Sequence, residues 1–180
     1  MRFGDFLRTS ILLFGAAATA CAIVAIAGAR ANDDNTVLYI ALGWWGLAAV
    51  VGLWFGRRRE ASEGIARLLA DARTTPLLPE LEPGTVLFNR LWSFGLITVI
   101  AGALAFLFPQ VPAIWTGFTL MVGLAWRKQP SAVQAIEERD GVRFYVERVS
   151  PFKPTRLLRT PGWRKNEPAP TDVQRTSVDA

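Results

Sequence analysis

The residues best suited to chemistry lie near the carboxyl end of this 180-residue chain, where basic side chains alternate with aromatic ones. Basic residues near an anionic membrane surface each contribute about 1 kcal/mol of attraction. One interpretation of the pattern is therefore contact with anionic lipid head groups or with another membrane protein. Single-stranded RNA is a weaker alternative, because the stretch matches no nucleic-acid-binding module. A purely structural alternative is a positive-inside tail whose aromatic rings fill a small core. The basic residues are Arg139, Arg143, Arg148, Lys153, Arg156, Arg159, Arg164 and Lys165.

Candidates for other chemistry are few. The chain has no histidine, which is the commonest acid–base group near neutral pH and the commonest metal ligand. Asp33 and Asp34 are adjacent on a short connection and fall far short of a six-to-eight-oxygen calcium cage. Glu137, Glu138 and Asp140 form a second acidic cluster, which neighbouring arginines can neutralise. No nucleotide, hydrolase or zinc-protease motif is present, so we predict no catalytic residue, cofactor or metal.

The elements that must position the basic stretch are four apolar runs, at about residues 9–29, 37–56, 91–108 and 111–126. None contains a charged residue, and about 20 helical residues suffice to cross a bilayer. We therefore predict an all-α membrane protein with four transmembrane helices in two hairpins, within residues 1–128. In a rival arrangement the last two runs form one re-entrant unit, which would leave costly unpaired backbone in lipid.

Charge sets the predicted orientation. Arg2 and Arg8 precede the first run, six arginines lie between residues 57 and 90, and the tail is basic, whereas the other two connections carry only Arg30. Positive flanks favour the cytoplasm, so both termini are expected there. The preference for arginine over lysine is typical of a GC-rich bacterial genome, which indicates the bacterial inner membrane. The first run exceeds the usual 7–15-residue signal core, which favours a retained helix over a cleaved signal peptide.

Small residues recur four positions apart within the runs, for example Ala48 with Gly52 and Ala101 with Ala105. This spacing lets two helices approach closely. Packing within one chain is the favoured interpretation, and a homo-oligomer interface is the alternative.

Two regions outside the runs are expected to be cytosolic. The loop at 57–90 is predicted to hold an amphipathic helix at about 60–72, then an irregular connection through Asn89 that contains three prolines. Residues 129–165 are predicted to form a small α/β appendage, and residues 166–180 a disordered tail.

Within the appendage, Ser131 and Gln134 suggest a capping box that opens a short helix. Asp140-Gly141 is a turn signal, and residues 142–149 alternate like a strand. Residues 155–160 can supply a second extended piece. In the alternative, residues 135–139 pair with 142–149 as a hairpin.

The sequence Ile-Glu-Glu-Arg-Asp-Gly-Val-Arg-Phe-Tyr-Val-Glu at 136–147, with Ser-Pro-Phe-Lys-Pro at 150–154, resembles the C-terminal part of uncharacterised multi-pass membrane proteins of GC-rich Gram-positive bacteria. The resemblance implies a membrane location and no particular activity. Four short spans are also similar to small multidrug transporters, but those carry a glutamate in their first span and this chain does not.

We therefore expect a non-enzymatic accessory or interaction protein whose basic tail contacts anionic lipid or a partner subunit. The alternatives are a small oligomeric channel or carrier and a membrane-bound enzyme acting on lipid. A cavity that joins the acidic cluster at 137–140 to basic residues would favour the enzyme.

Overall fold

The computed structural model describes residues 1–57, 69, 72–74, 83–146 and 157–161. The described part of the chain is mostly helical, with one small sheet, as predicted. Its helices are α1 (Phe3–Ala31), α2 (Asn35–Phe55), α3 (Pro83–Ala103), α4 (Gln110–Trp126) and α5 (Gln129–Asp140), and its strands are β1 (Arg73–Thr74), β2 (Val142–Val146) and β3 (Leu157–Pro161). A single 3-10 turn, Leu104–Phe106, follows α3.

Three helical segments are long and apolar enough to cross a membrane: Phe3–Ala31, Asn35–Phe55 and Gly84–Phe106. The fourth apolar run lies in α4, whose 17 residues extend roughly 25 Å. Large apolar side chains on these helices point outward; Ile40 is 67% exposed and Val99 is 69% exposed. The helical body, defined here as α1 to α4, thus carries many bulky apolar groups on its surface, although α1 also has buried ones such as Phe14.

Inside the helical body, small residues let the backbones approach closely. α4 packs along both α1 and α2, which touch each other only lightly. A Cβ added at Gly28 would lie 2.5 Å from the Ala105 carbonyl oxygen, and one at Gly52 would lie 2.7 Å from the Met121 carbonyl oxygen. Ala48 is 1% exposed. Gly28, Ala48 and Gly52 therefore pack against other parts of the same chain.

Tryptophan side chains join α4 to its neighbours. The indole nitrogens of Trp44 and Trp45 on α2 donate hydrogen bonds to the carbonyl oxygens of Ile114 (3.2 Å) and Ala113 (2.8 Å). Trp115 on α4 donates to the Thr98 hydroxyl of α3 at 3.0 Å. Because indole N–H groups need a partner when removed from water, these bonds fix how the helices are rotated against one another.

Two helices begin earlier than the apolar runs predicted. α1 starts at Phe3 rather than near residue 9, because Phe3, Phe6 and Leu7 are buried in a second core. At 29 residues it extends roughly 43 Å, which exceeds a hydrocarbon layer of about 30 Å. α3 starts at Pro83, so the predicted irregular connection through Asn89 is wrong in its last part. Proline is well tolerated in a first helical turn, where its missing N–H has no partner to lose.

The second core lies against a three-stranded sheet of order β1-β3-β2. β1 runs parallel to β3, and β2 runs antiparallel to it. The chain start joins the same sheet, since Arg2 bridges to Tyr145 and the Val146 N–H donates to the Met1 carbonyl at 3.2 Å. The buried members of this core are Phe3, Phe6, Leu7, Leu69, Val86, Val133, Val142, Phe144, Val146 and Leu157.

The appendage, defined here as α5, β2 and β3, follows the helix-plus-strand prediction rather than the hairpin. Gly141 adopts φ 61° and ends α5, so Asp140-Gly141 is a helix terminus. The capping box is wrong. Pro130 lies in the first turn of a helix that already begins at Gln129, and Ser131 donates from within it to the Lys128 carbonyl at 2.8 Å. The amphipathic helix at about 60–72, except for Leu69 and Ala72, and the tail at 166–180 lie outside the described residues.

Candidate functional site

A partly open cleft of about 860 Å³ lies where α1 begins, between α5 and β2. Arginines from three parts of the chain line it: Arg2 and Arg8 from the start of α1, Arg127 just after α4, and Arg143 on β2. All four side chains are exposed. The fold thus brings together positive charges that are more than 100 residues apart in sequence.

Helical spacing explains how α1 serves both the cleft and the core. Arg2, Asp5 and Arg8 are three residues apart, so they follow one face, and Leu12 continues that face one turn beyond Arg8. Leu7 lies on the opposite face and is 4% exposed in the core. The cleft therefore changes along α1 from charged at its outer end to apolar at the end nearer the helical body.

Three carboxylates line the cleft, those of Asp5, Glu137 and Glu138, and the two glutamates already accept hydrogen bonds from their own chain. Glu137 Oε1 accepts from the Phe144 N–H at 2.9 Å, and Glu138 Oε1 accepts from the Gln134 amide at 2.9 Å. By contrast, across residues 1–57, 69, 72–74, 83–146 and 157–161, no ion pair involves the guanidinium groups lining the cleft. The cleft therefore offers free cationic donors, while two of its anionic groups are engaged.

The predicted contact residues separate in the structure. Arg143 lines the cleft. Arg139 lies outside it, 75% exposed, and its Nε is 2.8 Å from Asp140 Oδ1. Arg159 lies half-buried on β3, in register with Phe144. The other predicted contacts, Arg148, Lys153, Arg156, Arg164 and Lys165, lie outside the described residues.

Asp140 is held charged by its neighbours. The side-chain hydrogen bond from Arg139 lowers the pKa of Asp140, and the charges of Arg139 and Arg159 act in the same direction. The same hydrogen bond raises the pKa of Arg139. Both residues lie at the surface, so this pair shapes the surface of the appendage rather than an enclosed reaction site.

Sequence reasoning treated Arg2, Arg8 and Arg127 only as markers of orientation and did not place them in a site. A signal was present, because the three-residue spacing of Arg2, Asp5 and Arg8 is interleaved with the apolar Phe3 and Phe6. That interleaving indicates an amphipathic first helical segment rather than a simple basic flank.

The acidic pair at the other end of the molecule has a structural role. Asp34 Oδ1 accepts a hydrogen bond from the Val37 N–H at 3.1 Å and caps the start of α2. Among the residues that the structure describes, no group of three or more potential metal ligands is assembled.

Guanidinium groups bind phosphate and carboxylate well, because their planar fork matches two oxygens at once. The cleft can therefore bind an anion at the edge of an apolar helical body. Comparisons of the chain with protein-family models, with curated proteins and with solved structures found no match.

Proposed function

We propose that this chain is a four-span protein of the bacterial inner membrane, with both termini cytoplasmic, that acts without catalysis by holding its basic appendage on anionic lipid head groups. The observation that carries the proposal is the cleft at the start of α1, where Arg2, Arg8, Arg127 and Arg143 converge. Positive charge at the end of apolar helices suits an anionic membrane surface.

The sheet supports an even number of crossings. Met1 and Arg2, β1, and the strands β2 and β3 belong to one hydrogen-bonded sheet. A continuous sheet of this kind must lie on one side of a bilayer. The chain therefore returns to its starting side between residue 2 and β1, and again between β1 and β2. With α1, α2 and α3 each long enough to cross, four spans satisfy both requirements.

Charge supports the cytoplasmic side for the sheet. At the opposite end, the connection between α1 and α2 has Asp33 and Asp34, with Arg30 in the last turn of α1, and residues 107–109 have no charge. Arg57 follows the end of α2 and is a further exposed arginine next to a span end, outside the cleft. Arginine next to span ends favours the cytoplasm.

Labelling of single cysteines tests the orientation. The native Cys21, which is buried in α1, is first replaced by serine so that each variant carries a single cysteine. Asp33→Cys and Ser131→Cys are then introduced separately. We expect Asp33→Cys to react with an impermeant maleimide in intact spheroplasts, and Ser131→Cys to react only after permeabilisation. The reverse pattern, or labelling of both in intact cells, would contradict the proposal.

Hydrogen exchange of the full chain in nanodiscs tests the association. We expect amides of α5 and β2 to exchange more slowly in discs containing phosphatidylglycerol than in pure phosphatidylcholine. Added salt should remove the difference, because exposed charges are screened over about 8 Å at physiological ionic strength. Equal exchange rates in both kinds of disc at low salt would contradict the proposed association with anionic lipid.

A second candidate, a lipid-acting enzyme, is favoured by one observation: Glu137 and Glu138 lie in the same cleft as the arginines. A general base there would have to release the hydrogen bond that each carboxylate now accepts. Incubation of the reconstituted protein with radiolabelled phosphatidylglycerol separates the candidates. A new product that disappears in Glu137→Gln would establish the enzyme, whereas unchanged lipid supports association alone.

A further inference from the structure

We infer that the cleft is a one-to-one binding site for an anionic amphiphile with a phosphate-ester head group, not merely part of a diffuse basic surface. This inference rests on the proposed function, because it requires the start of α1 to lie at the membrane surface. Beyond the proposed function, it specifies that one ligand binds per chain and to which chemical class that ligand belongs.

The charged end of the cleft suits a phosphate ester. Arg8 and Arg143 approach it from different elements, α1 and β2, and in the described part of the chain neither forms an ion pair. Glu137 is held by the Phe144 N–H, so its charge is partly satisfied within the protein. A ligand phosphate would therefore meet unpaired guanidinium groups, and a charge-assisted hydrogen bond is about twice as strong as a neutral one.

The apolar end of the cleft suits an acyl chain. Ile11 and Leu12 line it beyond Arg8, and Leu12 is 66% exposed. These residues lie on the part of α1 that continues into the helical body, so an acyl chain could follow that helix while its head group stays at the arginines. The volume of 860 Å³ falls within the range of about 300–1,000 Å³ typical of small-molecule sites. A free phosphate would use only the charged end.

Matched double variants of the full chain provide the test. Arg8→Gln with Arg143→Gln removes two cleft charges. Arg57→Gln with Lys128→Gln removes two exposed charges outside the cleft, so the net charge changes equally. Native mass spectrometry in mild detergent then measures binding of phosphatidylglycerol, phosphatidic acid, phosphatidylcholine and inorganic phosphate.

We expect a single adduct with phosphatidylglycerol or phosphatidic acid, weakened tenfold or more in the cleft variant and less than twofold in the control. Losing one charged hydrogen bond alone costs roughly tenfold. A third variant, Arg8→Lys with Arg143→Lys, retains the charge without the planar fork and should bind with intermediate affinity, which also guards against a variant that misfolds.

Several results would overturn the inference. They are multiple adducts without a one-to-one species, equal losses in the cleft and control variants, and phosphatidylcholine binding as tightly as the anionic lipids. Inorganic phosphate competing at equal concentration would overturn the amphiphile part. Salt-sensitive protection in nanodiscs without a one-to-one adduct would leave the proposed function standing and remove only this inference.

Discussion

The helical body and the appendage bury opposite kinds of side chain. In the body most buried positions are small, such as Ala48 at 1% exposed and Ala25 at 2%, and many bulky apolar residues face outward, with Phe14 a buried exception. In the appendage and the α1 start that packs on it, large groups are inside, with Phe144 at 2% and Val133 at 0% exposed. From this contrast we infer that the two regions are stabilised in different surroundings. Close backbone packing holds the first, and burial of large apolar groups from water holds the second.

The largest effect is expected from Phe144→Ala, which tests whether the appendage depends on burial from water. Deleting a fully buried phenylalanine ring costs about 3–5 kcal/mol. Amides of α5 and β2 should then exchange rapidly, while those of α2 stay protected. Phe106→Ala is the control, since this ring is 76% exposed. If both variants increased amide exchange in α5 and β2 to a similar extent, the appendage would not depend on burial of the Phe144 ring.

The next effect tests close packing in the helical body. Gly52→Ala places a Cβ 2.7 Å from the Met121 carbonyl oxygen, and overpacking of this kind costs about 1–3 kcal/mol. Gly46→Ala in the same helix meets nothing within 4 Å and should be neutral or slightly stabilising. Thermal unfolding in detergent measures both. Equal midpoints for the two variants would show that α2 and α4 are not held by close approach.

A smaller effect is expected at the start of α2, in the part of the helical body away from the sheet. Asp34→Ala removes the acceptor for the Val37 N–H and should cost about 1 kcal/mol. Asp34→Ser restores a capping oxygen and should recover most of that loss. Thermal unfolding of the three proteins measures it, and no recovery by serine would argue against the capping role.

The smallest effect concerns the exposed pair on the appendage. Because the folded state lowers the pKa of Asp140, the pair stabilises the protein above the ordinary carboxyl value of 3.8 and loses that contribution as pH falls through the folded value. Asp140→Asn should therefore shift the unfolding midpoint only slightly at pH 7, and that shift should shrink further in acid. A difference that grows on acidification would contradict the sign.

Local patterns predicted much of the fold. The four apolar runs lie almost entirely within helical segments, with only residues 56, 107 and 108 beyond their ends, and Val142, Phe144 and Val146 alternate inward as their spacing indicated. The ends of elements were less predictable. The apolar run alone could not place the start of α1. Phe3 and Phe6 are buried against residues from the other end of the chain, and that contact is not visible in the local sequence.

The candidate site was predicted only in part, through Arg143 and the acidic residues Glu137 and Glu138. Its other arginines come from the far end of the chain and from the end of α4, and nothing local to residue 143 indicates them. The same holds for Trp45, whose partner Ala113 lies 68 residues away.

The sequence by itself determined that the chain is apolar, helical and basic at identifiable places, because hydropathy, periodicity and charge depend on near neighbours. Three features could be seen only in the folded chain: the chain start pairs with β2, α4 packs on both α1 and α2, and separate arginines share one cleft. Those contacts join residues far apart in sequence, so they depend on how whole helices pack and not on the composition of any one segment.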